Sequence, residues 1–331
     1  MLLRRSVALA VLAATVVLGT MVTVAPPASA TGTVTTGSIV SAGLTRTYRM
    51  YRPSSLATTT KAPLIVALHE AGGSGAGFET QTGFDAVADN RNWLVVYPDS
   101  QVLHTSSGDV KQWQYGCCEA AYEGTQDLTF LRDLVAKLVA QQNADPRRVW
   151  VTGFSVGASM ADRVACDAAD LVAAVAPVNG AEALDHRCQP THPVSTYIVH
   201  GTVNDTEGCR SGTLPYCYKG AVSYHPSSSG LAQYWHDRDL CPSQSSSSTS
   251  GAVTTSDWGS CSGSTGVRYS SIQNGPHCWP GEPGSGAACK AMSATAAIAA
   301  FFAGKYAAPA SAPVGTANDY DTVPIPIIPG G

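Results

Sequence analysis

Residues 31–53 alternate polar with apolar side chains through Ser38-Ile39-Val40 and Arg46-Thr47-Tyr48-Arg49-Met50-Tyr51, with a Ser-Ala-Gly-Leu turn between. A two-residue period on both sides of a turn predicts an antiparallel hairpin at a sheet edge. Pro63 to Leu68 is a continuous apolar run, the pattern of a strand covered on both faces. Residues 77–91 set Phe78, Phe84 and Ala88 on one side and predict a helix, and Trp93 to Pro98 predicts the next strand. Leu128, Leu131, Leu134, Val135 and Leu138 recur at helical spacing, and that helix should stop before Asp145-Pro146. Val149 then opens a strand that ends at Thr152, ahead of an Ala- and Met-containing helix. Further strands are expected over 171–178, 193–201 and 267–272, with helices over 228–239 and 294–305. Strands that alternate with helices imply an α/β fold, a mainly parallel, doubly wound sheet with helices on both faces.

The two ends read differently. Arg4 and Arg5 precede an almost unbroken apolar run from Ser6 to Val24, and Ala28-Ser29-Ala30 follows as a small-residue cleavage site. That is the pattern of a secretory signal peptide over 1–30, with a twin-arginine route left open by Arg4-Arg5. Residues 31–307 then form one catalytic-size domain, and 308–331, rich in Pro and Gly without periodicity, read as a flexible tail. Removing Arg4 and Arg5 with the leader leaves 18 basic and 24 acidic residues, a net charge of −6. No Lys/Arg run is present, which argues against a nucleic-acid partner, and the mature chain is expected to be monomeric and free of the membrane. All ten cysteines follow the leader, and an even number in an exported chain predicts disulfides. Proximity suggests Cys209–Cys217, Cys241–Cys261 and Cys278–Cys289, leaving adjacent Cys117 and Cys118 to bond Cys166 and Cys188.

The candidate chemistry centres on Gly153-Phe154-Ser155-Val156-Gly157, between a predicted strand and a predicted helix. A serine at that point sits on a strained elbow and projects from the top of a sheet, and flanking glycines let the backbone reverse against its neighbours. The helix that follows aims its N-terminal N–H groups at an oxygen becoming negative. The glycine-rich loop His69-Glu70-Ala71-Gly72-Gly73 follows a central strand and can supply a second N–H beside that of Val156, making a two-donor oxyanion hole. A serine hydroxyl needs a base, and the base needs a carboxylate to orient it. The chain supplies Ser155, then an acidic loop with Asp205 and Glu207 after the 193–201 strand, then His277 after the last strand. That chain order suits a doubly wound hydrolase. No spacing of His and Cys suits zinc, and neither metal nor cofactor is required.

These residues resemble the secreted esterase family that contains poly(3-hydroxybutyrate) depolymerases, feruloyl esterases and acetylxylan esterases. The likeness rests on Leu68-His69 with Gly72-Gly73, Trp113 and Cys117-Cys118 before Asp127, the elbow itself, His200-Gly201-Thr202, Cys241, Cys261, and His277-x-Trp279-Pro280-Gly281. It runs over about residues 36–305. The resemblance implies an α/β-hydrolase fold, Ser155 as nucleophile and His277 as base. Two positions depart from it. Glu70 stands where the family has glycine, so the oxyanion donor is expected at Ala71, with Glu70 next. Asn204 stands where the family has its aspartate, so Asp205 is the expected acid and Glu207 the reserve. Trp113 and Trp279 are expected either to wall an acyl pocket or to pack in the core.

The expected activity is hydrolysis of carboxylic esters through a Ser-His-Asp triad and an acyl-enzyme. A polyester of the hydroxybutyrate type is the first expected substrate, and feruloyl or acetyl esters of plant cell wall are the alternative. A serine peptidase in the same fold would need the propeller domain this chain lacks. A disabled hydrolase that only binds a ligand is the reading that Glu70 and Asp205 would support.

Overall fold

In the computed structural model, residues 30–106, 108–116, 121, 124–181, 188–203 and 227–315 are described. Strands β1 (Thr33–Ser41) and β2 (Leu44–Arg52) form the expected hairpin. Its two-residue turn places Ala42 at φ 48° and Gly43 at φ 77°, the handedness that matches the twist of paired strands. Strand β3 (Ala62–Leu68) is buried along its whole length. Helices α1 (Gly75–Thr82) and α2 (Phe84–Arg91) follow, then strands β4 (Leu94–Pro98), β5 (Gln101–Thr105) and β6 (Gly108–Gln112). The long helix α3 (Gln126–Gln142) leads to β7 (Ala144–Phe154) and α4 (Val156–Asp167). Strands β8 (Ala174–Val178) and β9 (Ser195–Gly201) precede helix α5 (Ser228–Arg238). Strands β10 (Ser246–Ser250), β11 (Val253–Trp258) and β12 (Val267–Ile272) precede helix α6 (Ala294–Phe302).

Ten strands make one sheet in the order β1-β2-β4-β3-β7-β8-β9-β12-β11-β10. The six from β4 to β12 are parallel, and hairpins added antiparallel extend both edges. Side chains alternate between the two faces, so each central strand feeds two cores. Leu64, Val66 and Leu68 face α3, α4 and α5 in one core, together with Leu131, Met160 and Trp235. Ile65, Ala67 and Trp150 face α1, α2 and α6 in the other, together with Phe84, Ile298 and Phe302. This is the α/β-hydrolase arrangement, and among the described residues no helix is long and apolar enough to cross a membrane.

The structure corrects several expectations. Residues 77–91 are two helices, not one, because Gly83 turns into the left-handed region at φ 62° and ends α1. Strand β7 starts at Ala144 rather than Val149, since a register shift after the Ala62–Ala144 bridge lets Asp145-Pro146 pass at the strand's edge. The β5–β6 hairpin and strands β10 and β11 were not foreseen. The Ser-Ser-Ser-Thr-Ser of β10 is exposed throughout and has no apolar alternation to read. Cys166 and Cys188 bond each other, tying the end of α4 to the segment before β9, instead of pairing with Cys117 and Cys118. The Cys241–Cys261 and Cys278–Cys289 bonds are as expected.

Residues 308–315, read as the start of a flexible tail, dock on the domain. The Gly315 N–H donates to the Arg238 carbonyl at 2.8 Å, and the Ser262 hydroxyl donates to the Pro313 carbonyl at 2.6 Å. Cys117, Cys118, Cys209, Cys217, the leader over 1–29 and the tail over 316–331 lie outside the described residues.

Candidate active site

Strand β7 ends at Phe154, and Ser155 turns the chain into α4 with φ 56° and ψ −121°. A non-glycine residue there is strained, and the surroundings hold it. The Ser155 N–H donates to the Val178 carbonyl at 3.0 Å, while its carbonyl accepts from the N–H groups of Ala158 and Ser159. The three nearby glycines are there for close packing. A Cβ at Gly153 would overlap the Gly157 carbonyl, one at Gly157 the Leu68 carbonyl, and one at Gly180 the Ser155 carbonyl. The elbow is thus pressed between β3, β7 and β8 with no room for side chains. Val156 and Gly157 begin α4, where the first N–H groups have no partner within the helix.

His277 follows β12 in the loop stapled by Cys278–Cys289. Its ring lies against Phe154, centroids 4.8 Å apart, which sets the imidazole beside the residue preceding Ser155. Burial, and then the charge of His200, lowers its pKa to about 4, so the ring is neutral and able to accept a proton at pH 7. His200 is itself buried at the carboxyl end of β9 and contacts the Gly201 carbonyl through Nδ1 at 3.0 Å.

The exits of β9 and β12 are stitched together. Thr202 N–H donates to the Ile272 carbonyl at 2.9 Å, Val203 N–H to the Gly275 carbonyl at 3.2 Å, and Asn274 N–H to the Thr202 hydroxyl at 2.8 Å. Asp205 and Glu207 lie outside the described residues, but the chain enters that segment beside the histidine loop.

The glycine-rich loop after β3 is shaped by His69. Ser100 N–H donates to its Nε2 at 3.1 Å, so Nδ1 carries the proton and donates to the Glu70 carbonyl at 2.6 Å. Burial lowers the His69 pKa to about 4, and both ring nitrogens are engaged by backbone, which is a structural role. The Gly72 N–H goes to the Lys111 carbonyl at 2.8 Å, and Gly73 N–H to the Glu70 carbonyl at 3.0 Å. Among the described residues this leaves the N–H groups of Glu70 and Ala71 as the loop's available donors. The Glu70 side chain folds over its own turn against Gly73, and its Oε2 is buried without a hydrogen-bond partner.

Both tryptophans are buried. Trp113 is fully buried and donates from Nε1 to the His69 carbonyl at 2.9 Å. Trp279 is buried edge-on to Phe78 and Phe84 and donates to the Thr295 hydroxyl at 3.0 Å. Each has a polar tip satisfied inside the core, which accords with the packing alternative. Behind Trp113, Arg46 pairs with buried Asp127 at 2.6 Å and lies over the Phe130 ring. Asp127 also accepts the Gln114 N–H at 2.8 Å, so this ion pair fixes the segment on which Trp113 rests.

Sequence reasoning missed Asn179, which sits among the elbow, β9 and the histidine loop. Its signal was the Asn-Gly pair after the β8 run, which reads as an ordinary turn.

Residues 46–204, covering the glycine-rich loop after β3 and the elbow, match the family model described as esterase PHB depolymerase. The match covers just under half of the chain, which is similar to this esterase family over those residues. A bifunctional acetylxylan esterase/xylanase of Neocallimastix patriciarum is 24% identical over 71% of this chain and 31% of its own length. Feruloyl esterase B of Piromyces equi is 26% identical over 68% of this chain and 41% of its own. The chain therefore spans less than half the length of these relatives. The solved acetyl xylan esterase from Aspergillus awamori superposes with TM-score 0.52 at 17% identity, covering 74% of this chain and 95% of that one, and supports the α/β-hydrolase fold.

Proposed function

We propose that this chain is a secreted serine hydrolase of carboxylic esters. The observation that carries the reading is Ser155 at φ 56° on the elbow, with the neutral His277 ring packed against its neighbour Phe154. Ser155 Oγ attacks the ester carbonyl while His277 takes its proton. The N–H of Val156, with that of Ala71 or Glu70, receives the negative charge on the carbonyl oxygen. His277 then gives its proton to the leaving alcohol, and water, activated by the same imidazole, releases the acid from Ser155. Asp205, with Glu207 in reserve, is the carboxylate proposed to orient His277. Neither a metal nor a cofactor enters this scheme, and the disulfides fit an oxidising compartment reached through the 1–30 leader.

Two substrate readings have support. The matching family model favours hydroxybutyrate polyester or its oligomers. The names of the two relatives aligned over about two thirds or more of the chain favour acetyl or feruloyl esters of cell-wall polysaccharide. The test is hydrolysis of a hydroxybutyrate oligomer, methyl ferulate and acetylated xylan by the wild type and by Ser155→Ala. Turnover of one substrate, reduced at least about 10⁴-fold by the substitution, is the expected result. Turnover that survives the substitution, or folded wild type inert on all three, overturns the proposal.

A further inference from the structure

We propose that Asn179 is a positioning residue that locks the histidine loop and the exit of β9 to the nucleophile elbow. The inference rests on the Ser155–His277 reading and concerns how those groups are held together. Asn179 follows β8, the strand between the one that ends at Ser155 and the one that leads toward the acidic loop. It is buried and adopts φ 51°, a conformation asparagine tolerates better than most residues.

Three hydrogen bonds leave this one residue. Its backbone N–H donates to the Val199 carbonyl at 2.9 Å. Its Oδ1 accepts from the Gly201 N–H at 2.8 Å. Its Nδ2 donates to the Cys278 carbonyl at 2.7 Å, immediately after His277. The Gly201 amide requires an acceptor and the Cys278 carbonyl requires a donor, so the amide orientation is set by its partners. On its two sides the chain grips the elbow. Val178 accepts the Ser155 N–H, and Gly180 is pressed against the Ser155 carbonyl so closely that no Cβ fits.

A planar amide is the one short side chain that offers an acceptor and a donor about 2 Å apart in fixed directions. Aspartate lacks the donor, and serine or threonine cannot span both partners. Loss of the side chain releases the Cys278 carbonyl and lets His277 drift from Ser155. A displacement near 1 Å is worth up to about 100-fold in rate.

The test uses Asn179→Gly, which keeps the left-handed backbone unstrained and removes both side-chain bonds, and Asn179→Asp, which keeps the acceptor for Gly201 but turns a carboxylate on the Cys278 carbonyl. Hydrolysis of p-nitrophenyl butyrate is expected to lose about 10- to 100-fold in kcat in both variants, with KM within about threefold. The rate at which an organophosphate modifies Ser155 should fall in parallel. In Asn179→Gly the acid limb of the pH profile should also move up, because His277 leaves an apolar site that holds its pKa near 4. His200, the titratable group that faces His277 among the described residues, is unchanged in that variant.

Folded variants with wild-type kcat and acid limb overturn the inference while leaving the Ser155 reading intact. Loss in the glycine variant alone overturns the link to the histidine loop. Should both variants fail to fold, exchange of the Asn179 side-chain amide protons in the wild type decides. Protection well above that of a free asparagine supports the lock, and exchange at the free rate overturns it. A wild type inert on esters would sink the proposed function instead, which Ser155→Ala run alongside makes plain.

Discussion

Ser155, His277 and His69 show how single side chains acquire roles from their surroundings. Ser155 pays for its left-handed backbone with strain of about 1–3 kcal/mol, offset by the Val178 hydrogen bond and by three glycines that let strands close around it. The two histidines are both buried and both held neutral, with pKa values near 4. They differ in what their nitrogens touch. His69 has both engaged by backbone, so it shapes the glycine-rich loop. The position of His277 on the loop after the last strand of the sheet was legible in the sequence. The fate of Glu70 was not, because no sequence pattern says where a loop side chain folds. Its Oε2 is buried and unpartnered, in the loop proposed to supply an oxyanion donor. Glu70→Gln keeps the shape and removes the charge, so kcat for p-nitrophenyl butyrate is expected to rise by roughly fivefold, about 1 kcal/mol of relieved repulsion. An unchanged or lower kcat would show the carboxylate to be turned away or to assist.

At the scale of elements, the central strands were legible because two buried faces demand continuous apolar runs, as in Pro63–Leu68 and 193–201. The hairpin β5–β6 and strand β10 were not, because exposed edges place no such demand on their sequence. The histidine loop is the least regular of the elements that build the site. It is held by Cys278–Cys289, by the Gly281 N–H on the Cys289 carbonyl at 2.7 Å, and by Trp279 between α1, α2 and α6. The disulfide closes a loop with a sequence separation of 11, which corresponds to about 3 kcal/mol of restricted unfolded chain. Replacing both cysteines by alanine is expected to lower the urea midpoint accordingly and to lower kcat, since His277 adjoins the staple. A variant destabilised by that amount yet fully active at low temperature would confine the staple to stability. The wrong pairing expected for Cys166 and Cys188 has a simple origin. Separation along the chain says little about bonds between elements, and α4 runs back to meet the segment before β9.

Over the whole molecule, buried ionisable groups couple stability to pH. Asp239 is fully buried after α5, accepts the Val194 N–H at 3.1 Å, and burial raises its pKa to about 7. The folded state therefore keeps a proton that the unfolded chain releases near pH 4. Its contribution to stability is intact below that pH and is lost progressively as pH rises toward 7, by about 4 kcal/mol at most. His69 and His277 act in the opposite sense, since their lowered pKa values favour unfolding as pH falls from about 6.5 toward 4. Asp239→Asn removes one side of this balance. Chemical denaturation across pH 4 to 7 should show the variant gaining on the wild type as pH rises, and a pH-independent difference would refute the assignment.

From the sequence alone came the parallel sheet, the elbow at Ser155, the loop position of His277 after the last parallel strand, and two of the three disulfides described. These are legible because they obey local rules: periodicity follows from burial, and an elbow glycine follows from the backbone's need to turn. Tertiary structure alone decided that Trp113 and Trp279 lie in the core, that residues 308–315 dock on the domain, and that Asn179 joins the elbow, β9 and the histidine loop. Those outcomes depend on which strands become neighbours, and the partners stand 22 to 99 positions away, as Gly201 and Cys278 do from Asn179.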